Sequence, residues 1–370
     1  MCILYPRMAA VSSSTSLVYV LLLLAVTASS VWHVLGKLAL TNGMDASVFL
    51  VYRLLFSSLV LFGSMKFILR IAFVEPLPHM YPRIFAVGTT TFIHSICFVY
   101  GLQLTTPFLC AVMQPSVPVF VWLLSVTLGV ERANFRKALG VILCSVGAVG
   151  AAAASAHHSE HSAMDGSDFE TGTILIILQC VFYAIHLVFQ QPLLQYLPPV
   201  QVTGTMYFIA GVICFCVTML RTLLVDILPM ISPETTLPLP PNWKLSDDET
   251  AWFALAFCVV FASAFTHGIY AWASKRVAPT TVSVFITVEP ITTTIVSLLI
   301  ARTGLPDATE AACAGIVAIG VILVLRGGET HGAHYEPVSP NEFELETVDQ
   351  AEQGGKRRSS QSSPTSNSLR

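Results

Sequence analysis

Glu289 stands inside Val277 to Ile300, VAPTTVSVFITVEPITTTIVSLLI, a run otherwise apolar and long enough to cross a bilayer, for which about 20 such residues suffice. A charge at the centre of a membrane helix costs roughly 2.5 to 3.5 kcal/mol on insertion scales, so it belongs against a bundle interior or a cavity. A carboxylate there that is neutral in one state and ionised in another would tie the movement of a solute to protons. The alternative is a structural Glu, bonded to a neighbouring hydroxyl or paired with a cation. Pro290 follows directly, and Pro118 holds a comparable place in an earlier run. Proline within a helix frees a carbonyl one turn earlier, which at membrane depth only protein or trapped water can satisfy.

The basic and hydrogen-bonding groups inside apolar runs raise the same choice between chemistry and packing. Arg53 lies nearly two turns into its run and either pairs with a carboxylate or binds an anionic solute. His33 and Lys37, four residues apart, share a helix face beside Trp32. Lys37 is near the end of its run, where it either snorkels to the interface or meets a substrate carboxylate. His94 and His267 occupy near-equivalent places in two runs and either line a route or pack as hydrogen-bonded core. Gln179, Tyr183, His186 and Gln190 make a polar stripe on one helix, with Gln114 a similar group elsewhere; inside a bilayer such groups must meet other helices or a cavity wall. Tyr100, Tyr270 and Trp272 either stack on a substrate or belong to an interfacial belt. His157, His158 and His161 offer zinc-type donors without a fourth ligand and read as a solvated loop. The sequence holds no nucleophile motif, phosphate-cradling glycine loop or metalloprotease helix. Neither an enzyme nor a cofactor or metal is expected.

The elements that must position these groups follow from composition. Hydrophobic residues make up 54% of the chain and charged residues 11%, with a mean hydropathy of +0.71; soluble domains carry about 25% charged residues. The chain is therefore read as a polytopic membrane protein with no nucleic-acid footprint. Its nine cysteines are scattered through apolar runs without CxxC spacing and read as small packing residues. Ten apolar segments are expected, near 17–40, 47–65, 83–102, 106–130, 137–154, 172–194, 201–224, 250–274, 277–300 and 311–325. The first is too long for a signal-peptide core. Lys66, Arg70, Arg83, Arg132, Arg136, Lys137, Lys275 and Arg276 fall between segments on one side, and Asp45, the 157–168 stretch and the 226–249 stretch on the other. The positive-inside rule then puts both termini in the cytoplasm. Arg221 and Arg302 fall on the nominally outer side. The polar tail, 327–370, is expected to be disordered; its KRRSSQSS and YEPV stretches match phosphorylation and sorting patterns too short to weigh.

An internal repeat is also legible. Pro107 to Pro118, PFLCAVMQPSVP, and Pro279 to Pro290, PTTVSVFITVEP, have the same proline spacing at an offset of 172 residues (279 − 107 and 290 − 118). That offset pairs Phe98 and Tyr100 with Tyr270 and Trp272 and brings His94 within one residue of His267. Five spans per copy is an odd number, so the second copy enters the membrane upside down. Such inverted repeats place a substrate near the midplane between the halves.

Several stretches resemble a known group. Trp32 to Leu61 resembles the first two helices of the drug/metabolite transporter superfamily (EamA-like), especially its plant nodulin-21-like amino-acid exporters, through Lys37, Gly43 to Met44, and Val51 to Arg53. Gly101 to Thr106, Val130 to Phe135 and the glycines at 140 and 147 resemble the end of one repeat; Tyr270 to Ala278 and Gly315 to Gly327 resemble the end of the second. At Glu289 and Pro290 the sequence departs from the plant branch, where a neutral polar residue precedes the proline, toward the broad, largely bacterial pattern.

The expectation is an all-α membrane protein of ten transmembrane helices as two inverted five-helix repeats. Residues 1–16 form an N-terminus, 17–154 the first repeat, 155–171 a non-cytoplasmic loop, and 172–326 the second repeat. The resemblance implies a secondary carrier of small polar metabolites, amino acids first, with coupling to protons through Glu289. Its partners would be a small-molecule substrate and the lipid bilayer of a plasma membrane or endomembrane; oligomeric state is not set by these features. A nucleotide-sugar or sugar-phosphate antiporter, which needs several buried cations, and a non-transporting receptor or scaffold are the alternatives.

Overall fold

The computed structural model describes residues 15–41, 44–129, 133–159, 166–231, 243, 249–300 and 308–329, and every regular element among them is helical. In order these are α1 (Thr15–Thr41), α2 (Ala46–Gly63), α3 (Tyr81–Leu104), α4 (Pro107–Met113), α5 (Val117–Thr127), α6 (Phe135–Ser159), α7 (Gly166–Phe189), α8 (Gln191–Tyr196), α9 (Pro199–Ile231), α10 (Glu249–Phe257), α11 (Thr266–Ser274), α12 (Pro279–Ile286), α13 (Glu289–Ile300) and α14 (Ala308–Glu329). Eight helical runs among the described residues are long and apolar enough to cross a membrane. Two further helices, α6 and α14, cover the remaining expected segments and pack on each other.

Local chemistry explains the helix starts. Asp45 caps α2, its Oδ1 accepting from the backbone N–H of Ser47 at 2.9 Å and Val48 at 3.2 Å. Thr106 caps α4, accepting from Leu109 N–H at 3.1 Å, with Pro107 in the first turn. The α6–α14 seam depends on glycine: a Cβ on Gly140 would lie 2.6 Å from the Gly320 carbonyl oxygen, and one on Gly320 the same distance from that of Gly140. Small residues let membrane helices approach to backbone contact.

α1 is the centre of the bundle, packing against α13, α11, α10 and α4. Its buried side, with Leu22, Ala25, Val26, Ser30 and His33, faces these helices, while Leu17, Val20, Leu23 and Leu24 remain exposed. Large apolar side chains likewise face outward from α2, α3 and α9, as a surface turned to hydrocarbon must.

The helices depart from the expected segments in four places. α6 runs to Ser159 and α7 starts at Gly166, so most of the expected 155–171 loop is helical; Ala151 to Ala156 is largely alanine, which favours helix. α9 continues to Ile231, past the expected end. The sixth segment breaks at Gln190, where Pro192 sits in the first turn of α8. A π-helical stretch, Cys258–Phe265, joins α10 to α11. Arg132, Arg302, Gly43, His161 and the tail from 330 onward lie outside the described residues, as do the side chains of His157 and His158.

Candidate functional site

Both proline-paired runs are broken helices. α4 passes through a 3-10 turn, Gln114–Ser116, into α5, and α12 passes through a turn at Thr287 and Val288 into α13. The breaks fall in register: α4 and α12 start at 107 and 279, α5 and α13 at 117 and 289, the same offset of 172. Pro118 and Pro290 therefore sit in the first turn of new helices, where a missing N–H costs nothing. Both prolines, expected to be helix-breaking, stand just after a break rather than inside a continuous helix. Glu289 is the first residue of α13, and a carboxylate at a helix N-terminus is favoured by the helix dipole.

Glu289 is 3% exposed. It receives a hydrogen bond from the Ser29 hydroxyl, and its Oε2 lies 4.0 Å from His33 Nε2. Ser30 and Thr292 bond through their hydroxyls, Thr292 also donates to the Glu289 carbonyl at 3.1 Å, and His33 Nδ1 lies 3.4 Å from Thr293 Oγ1. One face of α1 is thus stitched by polar groups to the first turn of α13. His33 also packs against Phe98, ring centroids 5.2 Å apart.

Arg53 is the buried cation nearby. Its Nε donates to Ser263 Oγ at 2.8 Å, its guanidinium lies 4.9 Å from the Trp32 ring centroid, and it shares a hydrogen-bonded group with Tyr207 and Ser263. Trp32 in turn stacks on Phe49 at 5.2 Å. No carboxylate among the described residues pairs with Arg53.

A cluster of rings is also buried in the bundle. His94 of α3 is 5.0 Å from Tyr183 and 5.5 Å from His186, both of α7, and 6.4 Å from His267 of α11. His267 also meets Tyr207 of α9 at 5.5 Å and Tyr270 at 5.8 Å. Thr91 joins His186 to the α3 backbone: its hydroxyl lies 2.7 Å from the Val87 carbonyl oxygen and 3.0 Å from His186 Nδ1. His94 Nε2, Tyr270 Oη, Gln190 Oε1, Gln191 Nε2 and Ser274 Oγ are buried without a hydrogen-bond partner among the described residues.

The remaining predicted residues fall elsewhere. Gln114 donates to Gln179 Oε1 at 3.2 Å, an amide pair joining the first broken helix to α7. Lys37 is apart from the cluster: its ammonium donates to the carbonyls of Leu102, Gln103 and Thr105 at 3.0, 2.7 and 2.6 Å, satisfying the C-terminal end of α3. Tyr100 accepts from Arg221 at 3.3 Å in a network with Asp45, which lies 3.4 Å from that guanidinium. Trp272 lies beneath the Arg276 guanidinium at 3.9 Å. Tyr207, Ser263 and Thr91 were not singled out from sequence; a tyrosine or hydroxyl in an apolar run carries no signal of which way it points. Among the described residues no group of three histidine, cysteine or acidic side chains is arranged to hold a metal.

Comparison with known proteins places this geometry in context. The model of the EamA-like transporter family matches residues 16–153 and 170–326. A solved crystal structure 13% identical in sequence covers 84% of this chain and 98% of its own length, with a TM-score of 0.59, a likeness of fold.

Proposed function

The chain belongs to the EamA-like transporter family and is an integral multi-pass membrane protein, and from that premise we propose that it is a secondary active carrier of small polar metabolites, amino acids first, working by alternating access. The observation that carries the proposal is that Glu289 and Arg53 are both buried in the bundle without pairing with each other. A guanidinium held at membrane depth without a described carboxylate is costly, and a zwitterion supplies its carboxylate to Arg53 and its ammonium to Glu289 once that group is ionised. In this reading Glu289 gives up its proton when the ammonium arrives or takes one when it leaves, which couples the cycle to a proton gradient.

Ten helices in two inverted five-helix repeats make up the proposed architecture, with both termini cytoplasmic. The double match of one family model supports it, as does the common offset of the two helix breaks. A further support is that His94 and His267, one residue from equivalence at that offset, meet at 6.4 Å, as related groups do beside a twofold axis. Rocking of the halves about this axis would expose the site alternately.

Exchange of nucleotide sugars asks for several cations at the site to neutralise phosphate. Arg53 is the one described at the cluster; Lys37 is engaged with carbonyls, and Lys275 and Arg276 are exposed beyond the end of α11. The test is reconstitution of the full chain in proteoliposomes with labelled amino acids and nucleotide sugars, with and without a proton gradient. Amino-acid flux that responds to the gradient is expected; nucleotide-sugar exchange without amino-acid flux would reverse the assignment.

A further inference from the structure

We infer that the buried ring cluster of His94, Tyr183, His186, Tyr207, His267 and Tyr270 is the side-chain subsite of this carrier, selecting amino acids whose side chain is a planar ring, those with a hydrogen-bonding edge most strongly. The inference rests on the amino-acid reading above and goes beyond it by naming the side-chain class.

The composition of the cluster is its first support. Four helices each turn aromatic groups to one place where aliphatic side chains would fill the volume with no polar atom to satisfy. A packing role alone leaves two atoms unexplained: His94 Nε2 and Tyr270 Oη have no partner among the described residues although their residues are only 6% and 3% exposed. Unpaired polar atoms at such depth carry the full cost of their lost hydration. The subsite therefore offers the unpaired His94 Nε2 and Tyr270 Oη around stacking faces, and an indole, phenol or imidazole edge supplies them with partners.

His267 adds a second support. It is ringed by His94, Tyr183, Tyr207 and Tyr270, yet it keeps accessible surface where Tyr207 beside it has almost none. Ring stacking is also the interaction that survives when the six groups separate, since each presents a face to whatever enters. An anion at Arg53 and a neutral ring in the cluster fit together.

The test uses the full chain in proteoliposomes, with uptake of labelled tryptophan, tyrosine, phenylalanine and histidine set against leucine and alanine, and ligand-induced thermal stabilisation of the detergent-solubilised protein as a reading independent of turnover. Ring-bearing substrates are expected to be preferred over leucine by roughly tenfold or more, the scale of one or two stacked ring contacts. Equal handling of leucine and phenylalanine would overturn this inference and leave amino-acid transport standing; absence of both flux and stabilisation with every amino acid would overturn the function itself. Tyr270→Phe keeps the ring and removes the hydroxyl, so it is expected to weaken tyrosine and histidine about tenfold while leaving phenylalanine within about twofold. An equal loss for all three would assign the hydroxyl to structure and overturn its part in selection.

Discussion

Where the Pro107–Thr127 helix breaks, the polar group is Gln114, whose amide donates to Gln179 at 3.2 Å; where the Pro279–Ile300 helix breaks, it is Glu289, held by Ser29 and approached by His33 at 4.0 Å. The backbone plan is shared, down to the residue at which each second half-helix begins, and the equivalent of Glu289 is Val117, which is fully buried. A neutral amide pair closes on itself. A carboxylate beside a histidine and opposite an unpaired guanidinium keeps an interaction in reserve for something that arrives. The difference teaches that a helix break and an N-terminal dipole can occur twice at one spacing, while the ionisable group needs surroundings that only the second break provides.

Placing the charge in the other half tests this most severely. Val117→Glu is expected to lower the yield and stability of folded protein, by about 2.5 to 3.5 kcal/mol if the carboxylate stays charged, because Val117 has no counterpart of His33 and packs in an apolar setting. Folded protein at wild-type yield, read by size-exclusion chromatography and thermal unfolding, would mean that both breaks accept a charge. Glu289→Gln keeps the shape and removes the charge; uptake is expected to fall about tenfold to a hundredfold, the scale of hydrogen bonds to charged groups, and to lose its response to a proton gradient. Retained gradient-dependent uptake in vesicles would take the coupling role away from Glu289.

Arg53→Gln separates site from scaffold. Arg53 is bonded to Ser263 and stacked on Trp32 but pairs with no described carboxylate, so its charge serves the fold poorly. Uptake is expected to drop about tenfold, with the thermal midpoint unchanged or raised, the opposite movement of stability and activity that marks a group kept for function. A parallel loss of both would make Arg53 a structural residue.

Much of this comparison was legible beforehand because its signals are local. Apolar runs set the helices to within a few residues, and the proline spacing gave the offset at which both breaks fall. The stripe from Gln179 to Gln190 had to face inward because a bilayer offers it no other partner. What the sequence withheld depends on contacts between distant segments. Lys37 caps the end of α3 rather than meeting the ring cluster, and that requires knowing that residues 102 to 105 pass beside residue 37. Tyr207 joins the cluster from a helix whose other aromatics face outward. The placement of Glu289 at the start of a helix turned on whether a proline bends a helix or begins one, and both are compatible with the same residues.

The smallest effect is expected at Gln114, which makes it the sharpest control. Gln114→Leu removes a donor to Gln179 but leaves that amide a second interaction, since Cys180 Sγ lies 3.3 Å from Gln179 Oε1. The cost to stability should be about 1 kcal/mol, the usual net worth of one neutral hydrogen bond, and uptake should stay within about threefold of wild type with its gradient response intact. The same leucine at Glu289 would abolish that response, so the pair of variants reads the asymmetry directly in one assay. If Gln114→Leu instead flattened the gradient response, proton coupling would pass through the amide pair of the first half, and the two breaks would share the chemistry that their side chains divide so unequally.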